Sequence, residues 1–135
     1  MPNEPEFGPE SYPSCLWTAK QQRDFIRDHL GLRFGARQIK TLIWGFDHNF
    51  NNPGFPATLL HDPKAAQFVD GSALHLYEGK PESMPKLQRE FPDKHLNFTE
   101  GSVNVAKGAA EIISFCRNGS RSYHAWVTIG AFLNQ

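Results

Sequence analysis

The order of apolar and polar positions along the chain predicts strands and helices in alternation. In His95–Glu100 the apolar residues Leu96 and Phe98 alternate with polar neighbours, as in a half-buried strand. The segment Ile39–Phe46 is apolar at nearly every position, which is typical of a strand buried on both faces of a parallel sheet. Two further strands are predicted at Ser72–Leu76 and Tyr123–Ile129.

Capping residues and apolar faces predict helices between these strands. Thr18 begins the first helix with Gln21 in the capping-box position, and Gly31 is placed as its C-cap. Its inner face is predicted to comprise Phe25, Ile26, His29 and Leu30. Later helices are predicted over Lys64–Val69, after Ser83, and along a face shared by Ala109, Ile112, Ile113 and Cys116. This alternation indicates an α/β fold with parallel strands.

Polar side chains follow the predicted strands at a nearly constant interval. Asp47, His75, Glu100 and Trp126 stand 25 to 28 residues apart, close to the roughly 30 residues of a βαβ unit. We therefore expect them at the same end of successive parallel strands, where α/β barrels carry their chemistry. The chain supplies about half of the strands of a (β/α)8 TIM barrel.

The overall composition restricts the classes of partner. The 135 residues carry 14 basic and 14 acidic side chains, so no net charge favours nucleic acid or an anionic membrane. No apolar run approaches the roughly 20 residues of a membrane helix, and no signal peptide is predicted. The cysteines Cys15 and Cys116 indicate neither a disulfide framework nor a metal motif. Because a dense motif begins at Asn3, we expect a piece of a longer protein.

Glu4 and Glu100 are the candidate catalytic residues, because each is expected at the end of a barrel strand. Two carboxylates about 5–5.5 Å apart carry out retaining glycoside hydrolysis, one as acid/base and the other as nucleophile. Spacing alone leaves open the interpretation that they are two unrelated surface acids.

Other polar and aromatic residues could complete a sugar site around these two acids. Asn3 and Asp47 could bind sugar hydroxyls, although a loop turn and a helix or loop cap are the structural alternatives. His75 and Tyr77 share one face of a strand and could both reach the pocket. Trp126 could offer its flat face to a pyranose ring, or it could belong to the core.

A metal site is not predicted from the sequence. Suitable ligand types occur at Asp47, His48, His61, Asp62 and His75. They lack His-x-x-x-His or Cys-x-x-Cys spacing, and Asp62 is instead expected to cap the helix that begins at Pro63.

Six segments carry recognisable motifs. They are Asn3-Glu4-Pro5-Glu6, Tyr12-Pro13-Ser14-Cys15, Asp47-His48-Asn49, Asp70-Gly71-Ser72-Ala73-Leu74-His75-Leu76-Tyr77, Phe91-Pro92-Asp93-Lys94 and Phe98-Thr99-Glu100-Gly101-Ser102. In this order they resemble family 30 of the glycoside hydrolases, which includes glucosylceramidases and β-1,6-glucanases. The resemblance covers essentially the whole chain.

This resemblance implies a fold and a mechanism. The family has a (β/α)8 barrel beside a β-sandwich, so residues 1–135 would run from the end of strand four to strand eight, without strands one to three and the sandwich. The matching motifs imply Glu4 as acid/base and Glu100 as nucleophile of a retaining, glucosylceramidase-like hydrolase of β-glucosidic bonds. A β-1,6-glucanase is the alternative. Substrate binding would fall to Asn3, Asp47, His75, Tyr77, Ser102 and Trp126.

The resemblance also implies partners. The substrate would be a β-glucoside, either glucosylceramide or a β-glucan, with no cofactor, no metal and no nucleic acid. Membrane contact would come only through a lipid substrate, and the family is lysosomal or secreted. Leu76 stands where lysosomal glucosylceramidases tend to have Trp. An inactive fragment or a sugar-binding remnant stays open, because half a barrel exposes two sheet edges.

Overall fold

A parallel four-stranded sheet forms the centre of the chain. In a computed structural model, which describes residues 1–11, 13–102 and 106–126, its strand order is β1-β2-β3-β4. The strands are β1 (Trp44–Asn49), β2 (Gly71–His75), β3 (His95–Glu100) and β4 (Ser120–Tyr123). Each pairs in parallel with the next, so every connection has to cross back over the sheet. The predicted α/β fold with parallel strands is confirmed.

Helices fill the connections between the strands. Before the sheet lie α1 (Ala19–Phe25), a π-helical turn (Ile26–Leu30) and α2 (Gly31–Ala36). Two short helices join β1 to β2, namely α3 (Gly54–Leu60) and α4 (Pro63–Ala66). A 3₁₀ turn (Pro81–Ser83) and α5 (Met84–Glu90) precede β3, and α6 (Gly108–Arg117) precedes β4. No helix within the described residues is long and apolar enough to cross a membrane.

The first helix begins as predicted and ends later than predicted. Thr18 and Gln21 form the expected capping box. Gly31 is not a C-cap, because its backbone is right-handed helical and the helix continues to Ala36. A side chain at Gly31 would place its Cβ 2.2 Å from Cγ of Phe68, so the glycine serves close packing. Of the predicted inner face, Ile26 is buried whereas Phe25 and His29 are exposed.

Strand β1 lies closer to the C-terminus than predicted. It begins at Trp44 rather than Ile39 and continues through Asn49. A bulge between Phe46 and His48 displaces Asp47 from the register with β2. Phe46 and Asp47 have φ values of 76° and 66°, which non-glycine residues seldom adopt. The bulge thereby re-aims the side chains at the end of the strand, as bulges next to active sites often do.

The connection after β1 contains a helix that the sequence pattern did not indicate. Residues Gly54–Leu60 form α3, and the Asn/Pro/Gly-rich segment before it led us to expect a loop as far as Phe55. Asp62 caps α4 as expected, with its carboxylate accepting from the N–H groups of Lys64 and Ala65. Helix α4 ends at Ala66 rather than Val69.

The last helix turns a different face toward the sheet from the one predicted. Ile112 and Ile113 are 44% and 51% exposed, and Ala109 and Cys116 are exposed as well. Phe115 is buried instead, and its ring stacks on that of Phe98 in β3 at a centroid distance of 4.3 Å. Burying the phenylalanine side chain against the ring of Phe98 removes a large apolar area from water and adds a stacked aromatic contact, which favours this orientation of the helix.

The final strand starts earlier than predicted. β4 begins at Ser120 rather than Tyr123. Its last residue, Tyr123, pairs with Phe98 of β3. Trp126 keeps the parallel arrangement through a bridge to Ser102, with its N–H donating to the carbonyl of Gly101 at 2.9 Å. Residues 127–129 of the predicted strand, and Tyr12 of the second motif, lie outside the described residues.

Candidate active site

The carboxyl ends of the strands bring three of the predicted site residues together. Asp47, His75 and Glu100 lie at the ends of β1, β2 and β3. Glu4 reaches the same place from the N-terminal segment, since its N–H donates to the carbonyl of Asp47 at 2.9 Å. Glu4 and Asp47 are thus neighbours although 43 positions separate them in the sequence, because the segment around Glu4 runs beside the end of β1.

His75 connects the two carboxylates beside it. Its ring is 0% exposed. Nε2 lies 3.1 Å from Oδ1 of Asp47, and Nδ1 lies 3.3 Å from Oε1 of Glu4. Thr99 of β3 donates its hydroxyl to the same Asp47 oxygen at 2.9 Å. The four side chains therefore form one network across three strands.

Charge in this network offsets the cost of burial. Burial disfavours the ionised carboxylate of Asp47, but hydrogen bonds from His75 and Thr99 outweigh it and lower the pKa of Asp47. Burial likewise disfavours the imidazolium of His75, yet Asp47, Glu100 and Glu4 together raise the pKa of His75. The carboxylates around His75 thus more than offset the burial of its ring.

His48 lies on the other side of Glu4 and was not predicted as a site residue. It is 8% exposed, and its Nδ1 is 3.9 Å from Oε1 of Glu4, without a hydrogen-bond partner. Burial lowers the pKa of His48 despite the nearby Glu4. Ligand atoms of Glu4, His48 and His75 all lie within 4.8 Å of one another. The sequence signals for His48 were its place directly after Asp47 in one of the motifs and its side chain of metal-ligand type.

Tyr77 holds the second predicted catalytic residue. Its hydroxyl donates to Oε1 of Glu100 at 3.0 Å, and its N–H donates to Oδ1 of Asn49 at 3.0 Å. Burial and the carboxylate of Glu100 raise the pKa of Tyr77, so the phenol stays protonated and able to donate. Ser102 also hydrogen-bonds Tyr77.

A cleft of about 700 Å³ opens above this network, within the size range of small-molecule sites. Glu4 and Glu100 both line it, together with Tyr77 and the 56% exposed Trp126. Phe7 and six polar residues that the sequence reasoning did not propose for the site form the rest of the rim: Glu6, His48, Asn49, Asn51, Asn52 and Glu78. Two cross-loop hydrogen bonds stabilise that rim, from Asn52 to Glu6 and from Asn51 to Glu78.

The remaining predicted residues lie around the cleft or beneath it. Asp47 and His75 form its floor network and are not among the residues that line it. Asn3 is exposed beside Glu4, and Ser102 is exposed beside Tyr77, also outside the lining.

Comparison with known proteins shows the family to which the chain belongs. A sequence model described as the glycosyl hydrolase family 30 TIM-barrel domain matches residues 2–125. The chain belongs to glycoside hydrolase family 30. The family resemblance inferred from the six motifs is confirmed.

Two curated relatives and one solved structure illustrate the similarity. The endo-1,6-beta-D-glucanase BGN16.3 of Trichoderma harzianum is 31% identical over 138 residues, covering 96% of this chain and 27% of the relative. The lysosomal acid glucosylceramidase of Mus musculus is 34% identical over 110 residues, covering 75% and 21%. The structure of the endo-beta1,6-glucanase BT3312 superposes with a TM-score of 0.81 at 26% identity, covering 92% and 31%. This superposition confirms the predicted partial (β/α)8 barrel.

The chain is much shorter than these family 30 relatives. It spans 15% of the endo-1,6-beta-D-glucanase neg1 of Aspergillus fumigatus and 27% of the Trichoderma harzianum protein. It spans about a third of the solved structure.

Proposed function

We propose that this family 30 chain carries the catalytic residues of a retaining glycosidase that hydrolyses β-glucosidic bonds, with Glu4 as acid/base and Glu100 as nucleophile. The observation that supports this proposal is that both carboxylates line one cleft although they are far apart in sequence. Retaining glycosidases hold such a pair about 5–5.5 Å apart on either side of the scissile bond.

The reaction proceeds by double displacement. The Glu100 carboxylate attacks the anomeric carbon while protonated Glu4 gives its proton to the leaving glycosidic oxygen, so the C–O bond breaks as the glycosyl–enzyme ester forms. Glu4, now ionised, takes a proton from water. The resulting hydroxide attacks the anomeric carbon, releases the sugar and returns Glu100 to its carboxylate. No cofactor enters these steps.

Neighbouring residues position the two acids in this proposal. Tyr77 donates to Glu100 and fixes the direction from which the carboxylate attacks. His75, held by Asp47, contacts Glu4 from beneath and restrains its carboxyl group. Because His75 is fully buried, its contribution to substrate binding is indirect.

Four residues are proposed to contact or support the substrate itself. Trp126 offers an exposed ring at the edge of the cleft for stacking on a sugar. Asn3 and Ser102 flank the two acids at exposed positions, where their polar groups could reach sugar hydroxyls. The Oδ1 atom of Asp47 already contacts His75 and Thr99. A sugar hydroxyl bound by Asp47 would therefore join this hydrogen-bond network.

Two candidates differ in the group to which the glucose is attached, ceramide or a further glucose of a β-1,6-glucan. The glucosylceramidase-like reaction is supported by the similarity to the lysosomal acid glucosylceramidase of Mus musculus. A β-1,6-glucanase is the second candidate, favoured by the Trichoderma harzianum relative, whose match covers nearly the whole chain. Parallel assays on glucosylceramide and on a linear β-1,6-glucan separate the two.

Activity requires a closed barrel, which these strands alone do not make. We propose that residues 1–135 contribute the end of strand four through strand eight, and that strands one to three and a β-sandwich lie outside them. The backbone bond from Glu4 to Asp47 supports the first part, because it places residue 4 where a preceding strand would pair with β1.

The experiment is hydrolysis of an aryl β-glucoside by the protein that carries this chain. Glu100→Gln should abolish turnover, and Glu90→Gln is the matched control, since Glu90 pairs with His61 away from the cleft. In Glu100→Gly, added azide should restore turnover and yield a glucosyl azide of inverted configuration. Full activity in Glu100→Gln would refute the assignment.

The same assay distinguishes the other interpretations. A folded protein whose melting temperature rises with glucose but which leaves the glucoside intact would be a sugar-binding remnant. A protein that neither hydrolyses the glucoside nor responds to glucose would be an inactive fragment.

A further inference from the structure

The cluster of Glu4, His48 and His75 combines the proposed acid/base with two histidines, which are ligand types that transition-metal ions prefer. We propose that these three side chains bind a divalent transition-metal ion, with Zn²⁺ as the best match, at the floor of the cleft. The proposal rests on the arrangement of the ligand atoms and on the unpartnered nitrogen of His48.

The ligand atoms are close to the spacing that zinc requires. In a tetrahedral site with bonds of about 2.0–2.1 Å, neighbouring ligand atoms are about 3.3 Å apart. Oε1 of Glu4 is 3.3 Å from Nδ1 of His75 and 3.9 Å from Nδ1 of His48. All the ligand atoms lie within 4.8 Å of one another, so small side-chain movements suffice for coordination.

His48 supplies the independent reason to expect a ligand. A buried polar atom without a partner is costly, and each such atom in a native structure calls for an explanation. Nδ1 of His48 is buried, lacks a hydrogen-bond partner and faces Glu4, and the whole residue is only 8% exposed. A metal ion between the two side chains would give this nitrogen a partner.

The residues behind the cluster resemble the outer shell of known zinc sites. A histidine that binds zinc through one ring nitrogen usually donates from the other to a carboxylate, which fixes its tautomer. Nε2 of His75 makes this contact with Asp47 at 3.1 Å, and Thr99 donates to the same carboxylate. Two histidines and one carboxylate favour Zn²⁺ over Mg²⁺ or Ca²⁺, which prefer oxygen ligands.

The metal can enter from the cleft, and its fourth position would face it. Glu4 and His48 both line the cleft, whereas His75 lies beneath. A bound ion would occupy the Glu4 oxygen nearest the histidines. If Glu4 is the acid/base, as proposed above, the metal-bound carboxylate could not give its proton to the leaving group, so Zn²⁺ would be an inhibitor.

Metal binding can be tested without any assay of activity. The chelator-treated protein is titrated with ZnCl₂ by calorimetry at neutral pH, and one equivalent should bind with release of heat. Co²⁺ should replace Zn²⁺ and give the intense visible absorption of a tetrahedral site. Zinc should also raise the melting temperature, because it binds only the folded state. Absence of saturable binding of one equivalent below about 1 mM zinc would overturn the proposal.

Variants identify the ligands. His48→Gln should weaken zinc binding by about 100-fold, and Asp47→Asn, which alters a residue behind the site and not a metal ligand, by about 10–100-fold. His61→Gln is the matched control, because His61 is an exposed histidine that also has a carboxylate partner, Glu90. Equal weakening in His61→Gln, or wild-type affinity in His48→Gln, would overturn the assignment. If His48→Gln does not fold, the Co²⁺ spectrum of the wild-type protein decides.

Inhibition is measured separately. Zinc should lower hydrolysis of an aryl β-glucoside with the same midpoint as calorimetric binding, and excess chelator should restore it. A protein that binds zinc but hydrolyses nothing would refute the proposed function and leave the metal site standing. A protein that hydrolyses glucosides but binds no zinc would refute the metal site and leave the proposed function standing.

Discussion

The hydroxyl of Tyr77 donates a 3.0 Å hydrogen bond to Oε1 of Glu100 across neighbouring strand ends. Tyr77 follows β2 and Glu100 ends β3, so the bond exists only because the two strands pair in parallel register. The hydrogen bond holds Oε1 of Glu100 in place and thereby fixes the orientation of the whole carboxylate, including Oε2. Such positioning is what a nucleophile at an anomeric carbon needs.

Removing this hydroxyl tests the positioning of the nucleophile. Tyr77→Phe should lower kcat about tenfold, the effect of losing roughly 1.4 kcal/mol from a hydrogen bond to a charged group. Tyr123→Phe is the matched control, because its hydroxyl bonds Glu111 of α6 rather than a cleft residue. Steady-state kinetics on an aryl β-glucoside measures both. An equal loss in the two variants would mean that the effect is structural.

The leaving group tests the role of Glu4. An acid catalyst matters most when the departing oxygen is basic, so Glu4→Gln should lower the rate far more for an alkyl β-glucoside than for a nitrophenyl β-glucoside. Glu82→Gln, in the 3₁₀ turn before α5, serves as the control. The ratio of kcat/KM for the two substrates is the measurement. A ratio in Glu4→Gln equal to that of the wild-type protein would contradict the assignment.

Two glycines in helix α2 test its packing against Phe68, which follows α4, independently of function. Gly31→Ala should destabilise the fold by about 1–3 kcal/mol through overpacking, since its Cβ would meet the ring of Phe68 at 2.2 Å. Gly35→Ala lies in the same helix with nothing within 4 Å of its Cβ, so it should stabilise by about 0.5–1 kcal/mol. Urea unfolding measures both. Equal effects would contradict the close contact with Phe68.

Asp62 should make stability depend on acid pH. Its hydrogen bond from Arg27, at 2.9 Å, holds the pKa of Asp62 below its ordinary value. A carboxyl with a lower pKa in the folded state contributes stability above its unfolded value, about 3.9, and that contribution is lost as pH falls through the folded-state pKa. The wild-type melting temperature should therefore fall more steeply below pH about 4 than that of Asp62→Asn.

The matched control for this pH dependence is Asp93→Asn, because Asp93 is 74% exposed at the side chain and lies outside the Arg27 contact. Its melting temperature should follow the wild-type curve. If Asp62→Asn follows that curve too, the ion pair with Arg27 contributes no acid dependence.

Local interactions explain what sequence reasoning predicted correctly. The capping box of Thr18 and Gln21 and the cap at Asp62 involve residues within three positions of each other, so composition alone specifies them. Strand β3 has the predicted bounds, because its alternating pattern ends at Glu100 and Gly101 follows. The alternation of strands and helices along the chain specified the parallel sheet, because each helix carries the chain back to the start of the next strand.

Contacts between distant segments explain where the prediction was wrong. Gly31 would end a helix on local grounds, yet the helix continues because Phe68 packs against the bare backbone there. The bulge in β1 moves Asp47 out of register with β2, which no pattern within β1 indicates. Phe115 rather than the isoleucines turns inward, because the ring of Phe98 lies opposite it.

The sequence by itself determined the alternating α/β order, the helix caps and the position of Glu100 at the end of a strand. Only the tertiary structure placed His75 between Glu4 and Asp47, and His48 beside them with an unpaired nitrogen. The physical reason is the separation in sequence over which each interaction acts. Capping and periodicity act within a few residues of the chain, whereas a buried network is built by parallel pairing of strands whose residues are separated by 28 positions or more.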